Sequence, residues 1–81
     1  MTKKLIIRVG LKDGITDPEG ANVKKSLELL GFDNIVGVKT SKIFEITVEE
    51  LGEEKAREEA ENMCKKLLAN PVIHSYEINI E

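Results

Sequence analysis

Hydrophobic residues recur at every second position in three stretches of this chain and at every third or fourth position in two others. In "KLIIRVGLK", residues 4 to 12, Leu5, Ile7, Val9 and Leu11 fall on one face, with Arg8, Gly10 and Lys12 on the other. This alternation predicts a half-buried strand. The last stretch, "VIHSYEINIE", alternates likewise: His74, Tyr76, Ile78 and Ile80 share one face, and Ser75, Glu77, Asn79 and Glu81 the other. A first helix is predicted to run to about Leu30, with Val23, Leu27 and Leu30 as its buried stripe, helped by Ala21 and Ser26. Asp17-Pro18 marks its start, because Asp accepts from orphan amides at the N-cap and Pro loses no hydrogen bond at the first helical position. Thr16 with Glu19 is a competing capping box that shifts the start by one residue. Gly31 sits where a left-handed cap residue belongs, and Phe32 is expected to fold back onto the core. Residues 49 to 69 predict a second helix with a stripe of Ala56, Ala60, Met63, Cys64 and Leu67. Acidic residues crowd its start and Lys65-Lys66 lie near its end, which suits the helix dipole. Asn70-Pro71 stops it, since the residue before Pro avoids the α region.

The stretch "VGVKTSKIFEITV", Val36 to Val48, is unusual. Fully extended it would reach roughly 40 Å, whereas a compact chain of this length has a radius of gyration near ~12 Å. Its even positions, Val36, Val38, Thr40, Lys42, Phe44, Ile46 and Val48, keep one apolar parity across a polar middle. A two-residue hairpin would want Asn-Gly or Asp-Gly at its tip, and Thr40-Ser41-Lys42 has no residue that readily takes positive φ. One long strand, straight or bent, that overhangs its own domain is the expectation. The odd face (Gly37, Lys39, Ser41, Glu45 and Thr47, with Ile43 the exception) is small or polar and suits solvent or a polar partner surface.

The predicted order is β-α-β-α-β in a single domain, residues 1–81. The fold class is α+β: a two-layer sandwich with a mainly antiparallel sheet, two helices on one face, and a sheet completed by dimerisation. Open sheet edges invite pairing with another copy. Size points the same way, because a chain this short buries only ~60% of its unfolded surface.

Composition narrows the function. The net charge is −3, without the basic surplus of a nucleic-acid binder, and a base-stacking sheet would need more aromatics than Phe44 and Tyr76 on its face. Leu5-Ile6-Ile7 stops at Arg8, too short for a signal peptide or a membrane span. The lone Cys64 can form no internal disulfide and no two-Cys metal site, which fits a reducing, cytoplasmic setting. It falls on the inward stripe of a helix, a packing position. His74 is the only histidine and sits on an apolar strand face, a structural place. The carboxylates cluster on an exposed helix face and offer no acid/base pair in contrasting environments. Glu45, mid-strand, reads as solvent-facing. "DGITDPEG" matches neither phosphate-binding glycine motif and reads as a turn plus N-cap. No catalytic residue, cofactor site or metal site is predicted.

Three segments together, "DPEGANVKKSLELLGF", "VGVKTSKIFEI" and "CKKLLANPVIHSYEI", resemble the PurS subunit of phosphoribosylformylglycinamidine synthase, in order and spacing from Val9 to Ile80. Where the family tends to carry Arg and Gly this chain has Lys39 and Ser41, and where it tends to be acidic it has His74 and Ser75. The resemblance implies a subunit without chemistry of its own in de novo purine synthesis. It would dimerise, or form a tetramer, and join a large synthetase subunit, which uses ATP and Mg²⁺, to a glutaminase subunit, so that ammonia passes between them. On this reading Phe44, Ile46 and Val48 are candidates for the dimer interface, and Lys39, Ser41, Lys42, Asn70 and His74 for contacts with the other subunits. The alternative is a small dimeric ligand-sensing module, for which "DGITDPEG" is the one candidate pocket.

Overall fold

Alternation at the N-terminus becomes β1, Thr2–Leu11, in a computed structural model that describes residues 2–49 and 52–81. The other strands are β2, Ser41–Glu49, and β3, His74–Ile80. The sheet order is β2-β1-β3, and both pairings are antiparallel. β1 is therefore central, and its inward residues Leu5, Ile7 and Val9 are the buried residues of the sheet. Cross-strand register lines them up with Ile46, Phe44 and Lys42 on one side and Ile80, Ile78 and Tyr76 on the other.

The two helices are α1, Pro18–Leu29, and α2, Glu53–Met63. The element order and the α+β class are as the periodicity predicts. α2 covers the β1 face, with Ala56, Ala60 and Cys64 fully buried against Leu5 and Ile7. Small residues in that stripe let helix and sheet approach closely. The expected helix region included Glu50 and Leu51, which lie outside the described residues, and Glu49 belongs to β2.

Three expectations are corrected. First, only α2 lies on the sheet. α1 stands off it, with Val23, Leu29 and Leu30 exposed, Leu29 at 81%. The reason is local. The segment after α1 returns to the helix start, where Val38 crosses Gly20 and Thr40 meets Asp17, and this pair forms an arm that makes the chain elongated. Second, Phe32 does not return to the core and is 55% exposed. It closes a Schellman motif instead: its N–H donates to the Leu27 carbonyl and that of Gly31 to Glu28, each at 3.1 Å, with Gly31 at φ +102°. Third, Leu67 is not inward but 84% exposed. Residues Cys64–Leu68 are π-helical, and the Ala69 N–H reaches the Cys64 carbonyl at 3.0 Å. One extra residue in the turn slips the stripe, so Leu68 and Ala69 face the core in its place.

The long middle segment makes no hairpin. β2 begins at Ser41, and residues 32–40 contain neither turn nor bend and pair with no strand. The strand is thus shorter than the predicted Val36–Val48, because residues 36–40 have no strand beside them to pair with, but the overhang remains and gives the chain its shape, 49 × 26 × 15 Å with a radius of gyration of 16.3 Å, against ~12 Å for a compact domain of this length.

Candidate functional site

The arm is fastened to the sheet by one carboxylate. Asp17 caps α1 through Oδ1, which accepts from the Gly20 N–H at 2.8 Å. The same side chain accepts from the Thr40 N–H at 2.7 Å and the Thr40 hydroxyl at 2.9 Å. The Thr16–Glu19 box is thereby displaced as the helix start. Beside it Gly20 is buried because the segment after the helix crosses there: a Cβ on Gly20 would collide with the Val38 carbonyl oxygen. These backbone donors hold the Asp17 carboxyl below its ordinary range, the Gly20 bond contributing most and the Thr40 N–H next.

Around this joint the ends of all three strands converge. Gly10 lies between Ser41 and Ser75, Val9 opposite Lys42, and Leu11 opposite His74. Register thus brings Ser41, Lys42 and His74 to one end of the sheet. Lys39 joins them, its ammonium donating to Asp13 at 2.8 Å on the exposed surface. That bond lowers the Asp13 carboxyl and raises the Lys39 ammonium. Asn70 is tied in through His74, whose Nδ1 accepts from the Asn70 N–H at 2.9 Å. The Asn70 side chain and carbonyl also accept from the N–H groups of Val72, Ile73 and His74. Asn70 and His74 therefore hold the turn into β3. Lys12 braces this turn by donating to the Pro71 carbonyl at 2.7 Å.

A cleft of about 270 Å³ lies here, lined by Arg8, Asp13, Asp17, Lys39, Ser41 and Glu77 among others. Its cations are engaged: Lys39 by Asp13, Lys12 by Pro71, and Arg8 by the Ser41 hydroxyl at 3.5 Å. "DGITDPEG" supplies part of the wall. Sequence reasoning missed Arg8 and Thr40 as members. Asp17 was legible as a cap, but its bond to Thr40 spans 23 residues and leaves no local signal.

Phe44, Ile46 and Val48 lie elsewhere, on the α2 face of β2, half-buried against the core. The outer edge of β2 beside them pairs with no strand. Ile46 also floors a groove walled by Met63, Leu67 and Leu68, with Glu59 and Lys66 among its polar lining. The opposite face of the sheet is polar apart from Ile6 and the exposed Ile43, and Glu45 pairs there with Lys4 at 3.1 Å. Cys64 is fully buried under α2. Burial, and secondarily the charge of Glu61, pushes its thiol pKa up, away from nucleophilic use. Among the described residues, no three His, Cys, Asp or Glu side chains gather as a metal ion would require.

A thin core, open sheet edges, an uncovered helix and a cleft whose polar groups tie backbone segments together define a small α+β association module. Its relatives are specific. The PurS family model, described as phosphoribosylformylglycinamidine (FGAM) synthase, matches residues 4–81, and the chain belongs to the PurS family. The PurS subunit of phosphoribosylformylglycinamidine synthase from Methanocaldococcus jannaschii is 50% identical over 78 residues, covering 96% of this chain and 94% of that protein. The Bacillus subtilis PurS subunit is 32% identical over 78 residues, covering 96% and 92%. In structure, the chain matches the crystal structure of M. jannaschii PurS, one of the subunits of formylglycinamide ribonucleotide amidotransferase in the purine biosynthetic pathway. That match has a TM-score of 0.84 at 51% identity, over 100% of this chain and 96% of the other. It also matches a chain of the PurLQS structure from Thermotoga maritima, with a TM-score of 0.88 at 27% identity over 100% and 99%.

Proposed function

We propose that this chain is a non-catalytic assembly subunit of phosphoribosylformylglycinamidine synthase. It pairs with a second copy and bridges the large ATP-dependent synthetase subunit and the glutaminase subunit, so that ammonia passes between them without escaping to water. The observation that carries this is surface left over. The chain exposes 6185 Å², whereas a folded monomer of 9.0 kDa is expected to expose ~4,900 Å². A stable interface takes ~800 Å² from each partner. Family membership supports the assignment to this enzyme, and the PurLQS structure is of a relative in a named assembly.

In this reading Lys39 and Ser41, which line the cleft, and Lys42, Asn70 and His74 at the same end of the chain's sheet offer contacts to the other subunits, and ATP and Mg²⁺ belong to the synthetase. The cleft cations are already paired with groups of this chain, which favours a docking surface over a ligand sensor. Holding two active sites in register raises the local supply of the intermediate, as tethering raises effective concentration.

Reconstitution with the synthetase and glutaminase subunits is the test. Omitting this chain should abolish glutamine-dependent turnover while ammonia-dependent turnover partly survives. Equal loss of both would reject the bridging role.

A further inference from the structure

The turn into β3 is closed by one pair of residues. Asn70 and His74 bond each other twice: the His74 N–H donates to the Asn70 carbonyl at 2.8 Å, and the Asn70 N–H donates to Nδ1 of the His74 ring at 2.9 Å. The Ile73 N–H shares that carbonyl at 3.1 Å, and the Val72 N–H takes the Asn70 side-chain oxygen at 3.0 Å. Three of these four bonds end on amide oxygens, which are indifferent to pH. The fourth ends on an imidazole nitrogen, and imidazole is the side chain that ordinarily changes charge between about pH 5 and 8.

The donor fixes the chemistry. A backbone N–H can only donate, so Nδ1 must keep its lone pair and the neutral ring carries its proton on Nε2. A second proton can go only onto Nδ1. It turns the acceptor into a donor and sets N–H against N–H, so the ring must turn away and the Asn70 N–H loses its partner. Little around the ring opposes this. Its cross-strand neighbour, Leu11, is apolar. Lys12 of β1 donates to the Pro71 carbonyl within the same turn. The helical turn just before it carries Lys65 and Lys66, with the buried Cys64 thiol. On β3, Tyr76 shares the parity of His74, and Glu77 lies on the other face. The ion pairs among the described residues do not include His74.

We infer that Asn70 and His74 form a proton-operated latch, closed with the neutral ring and open with the imidazolium, and that it couples the binding of the other subunits to pH. This rests on the assembly reading above, in which both residues offer contacts to those subunits. The latch stands at a junction, so its state is felt beyond the turn. Ala69, immediately before it, is buried and ends the π-helical turn with its bond to Cys64. Pro71, immediately after Asn70, holds Lys12, which lines the cleft. Opening the latch frees this end of the chain, and acid thereby weakens association.

Nitrogen NMR on the full chain reads the latch itself. At about pH 7.5 the His74 ring should be the Nε2–H tautomer, and down to about pH 5.5 the Asn70 amide signal should move in step with the ring, while the amides at the middle of β1 hold still. An Nδ1–H tautomer at the higher pH, or an Asn70 amide that ignores the ring, overturns the latch. Affinity for the synthetase and glutaminase subunits, measured at the same two pH values, reads the coupling. It should fall about two- to tenfold on acidification, the range set by one net hydrogen bond, and His74→Gln, which cannot titrate, should show a smaller fall. Equal pH dependence in the two chains overturns the coupling. A chain whose Asn70 amide follows the ring but which binds neither subunit at either pH overturns the assembly reading and leaves the latch in place.

Discussion

Asp17 does two jobs with one carboxylate. It caps α1 and it fastens the arm to the start of β2. Both depend on negative charge, and backbone donors hold the folded-state carboxyl below its ordinary value of 3.8. The contribution is therefore full above that value and is lost as pH falls through the lower folded-state pKa. The Tm of Asp17→Asn should lie below that of the wild type at neutral pH, and the gap should close on acidification below 3.8. A gap that persists unchanged in acid would count against the charge. Gly20 is held by space, not charge. In Gly20→Ala the new methyl collides with the Val38 carbonyl, and crowding of this kind costs ~1–3 kcal/mol. Urea melts should read that loss.

Among the elements, the π-helical turn at Cys64–Leu68 has the largest consequence for packing. Its wider hydrogen bonding sends Leu67 outward and Leu68 with Ala69 inward. Neighbouring leucines should thus behave differently. Leu68→Ala should cost ~1–3 kcal/mol, at the lower end of core truncations because the side chain is only partly buried. Leu67→Ala should leave the protomer fold intact within ~0.5 kcal/mol and weaken self-association instead, read by denaturation and by light scattering. Equal effects on the fold would mean the turn is regular α-helix in solution. Alternation in the strands needed no such correction. Leu5, Ile7 and Val9 point where their period puts them, since a two-residue repeat cannot drift.

At the scale of the whole molecule, the shape states the problem that the protein solves. A chain 49 Å long and 15 Å thick carries too little core for its surface. If pairing supplies the missing burial, stability depends on protomer concentration. The Tm should rise with concentration over a hundredfold dilution series, and Val36→Lys should abolish that dependence by placing charge on the apolar face of the overhang. A Tm independent of concentration, with light scattering at the monomer mass, would oppose the paired state.

The sequence by itself determined what is periodic or local: three alternating strands, the existence of two helices, the Asp17-Pro18 start, the Gly31 cap and the absence of a hairpin tip at Thr40-Ser41-Lys42. These are properties of a few consecutive residues, so they can be read in order along the chain. Tertiary structure alone decided which strand is central, that α1 leaves its own sheet, that Asp17 holds Thr40, and that one additional residue in a helical turn exchanges Leu67 for Leu68. Each of these is settled by groups far apart in the chain, or by a shift of a single hydrogen bond, and neither leaves a mark on the local pattern of apolar and polar residues.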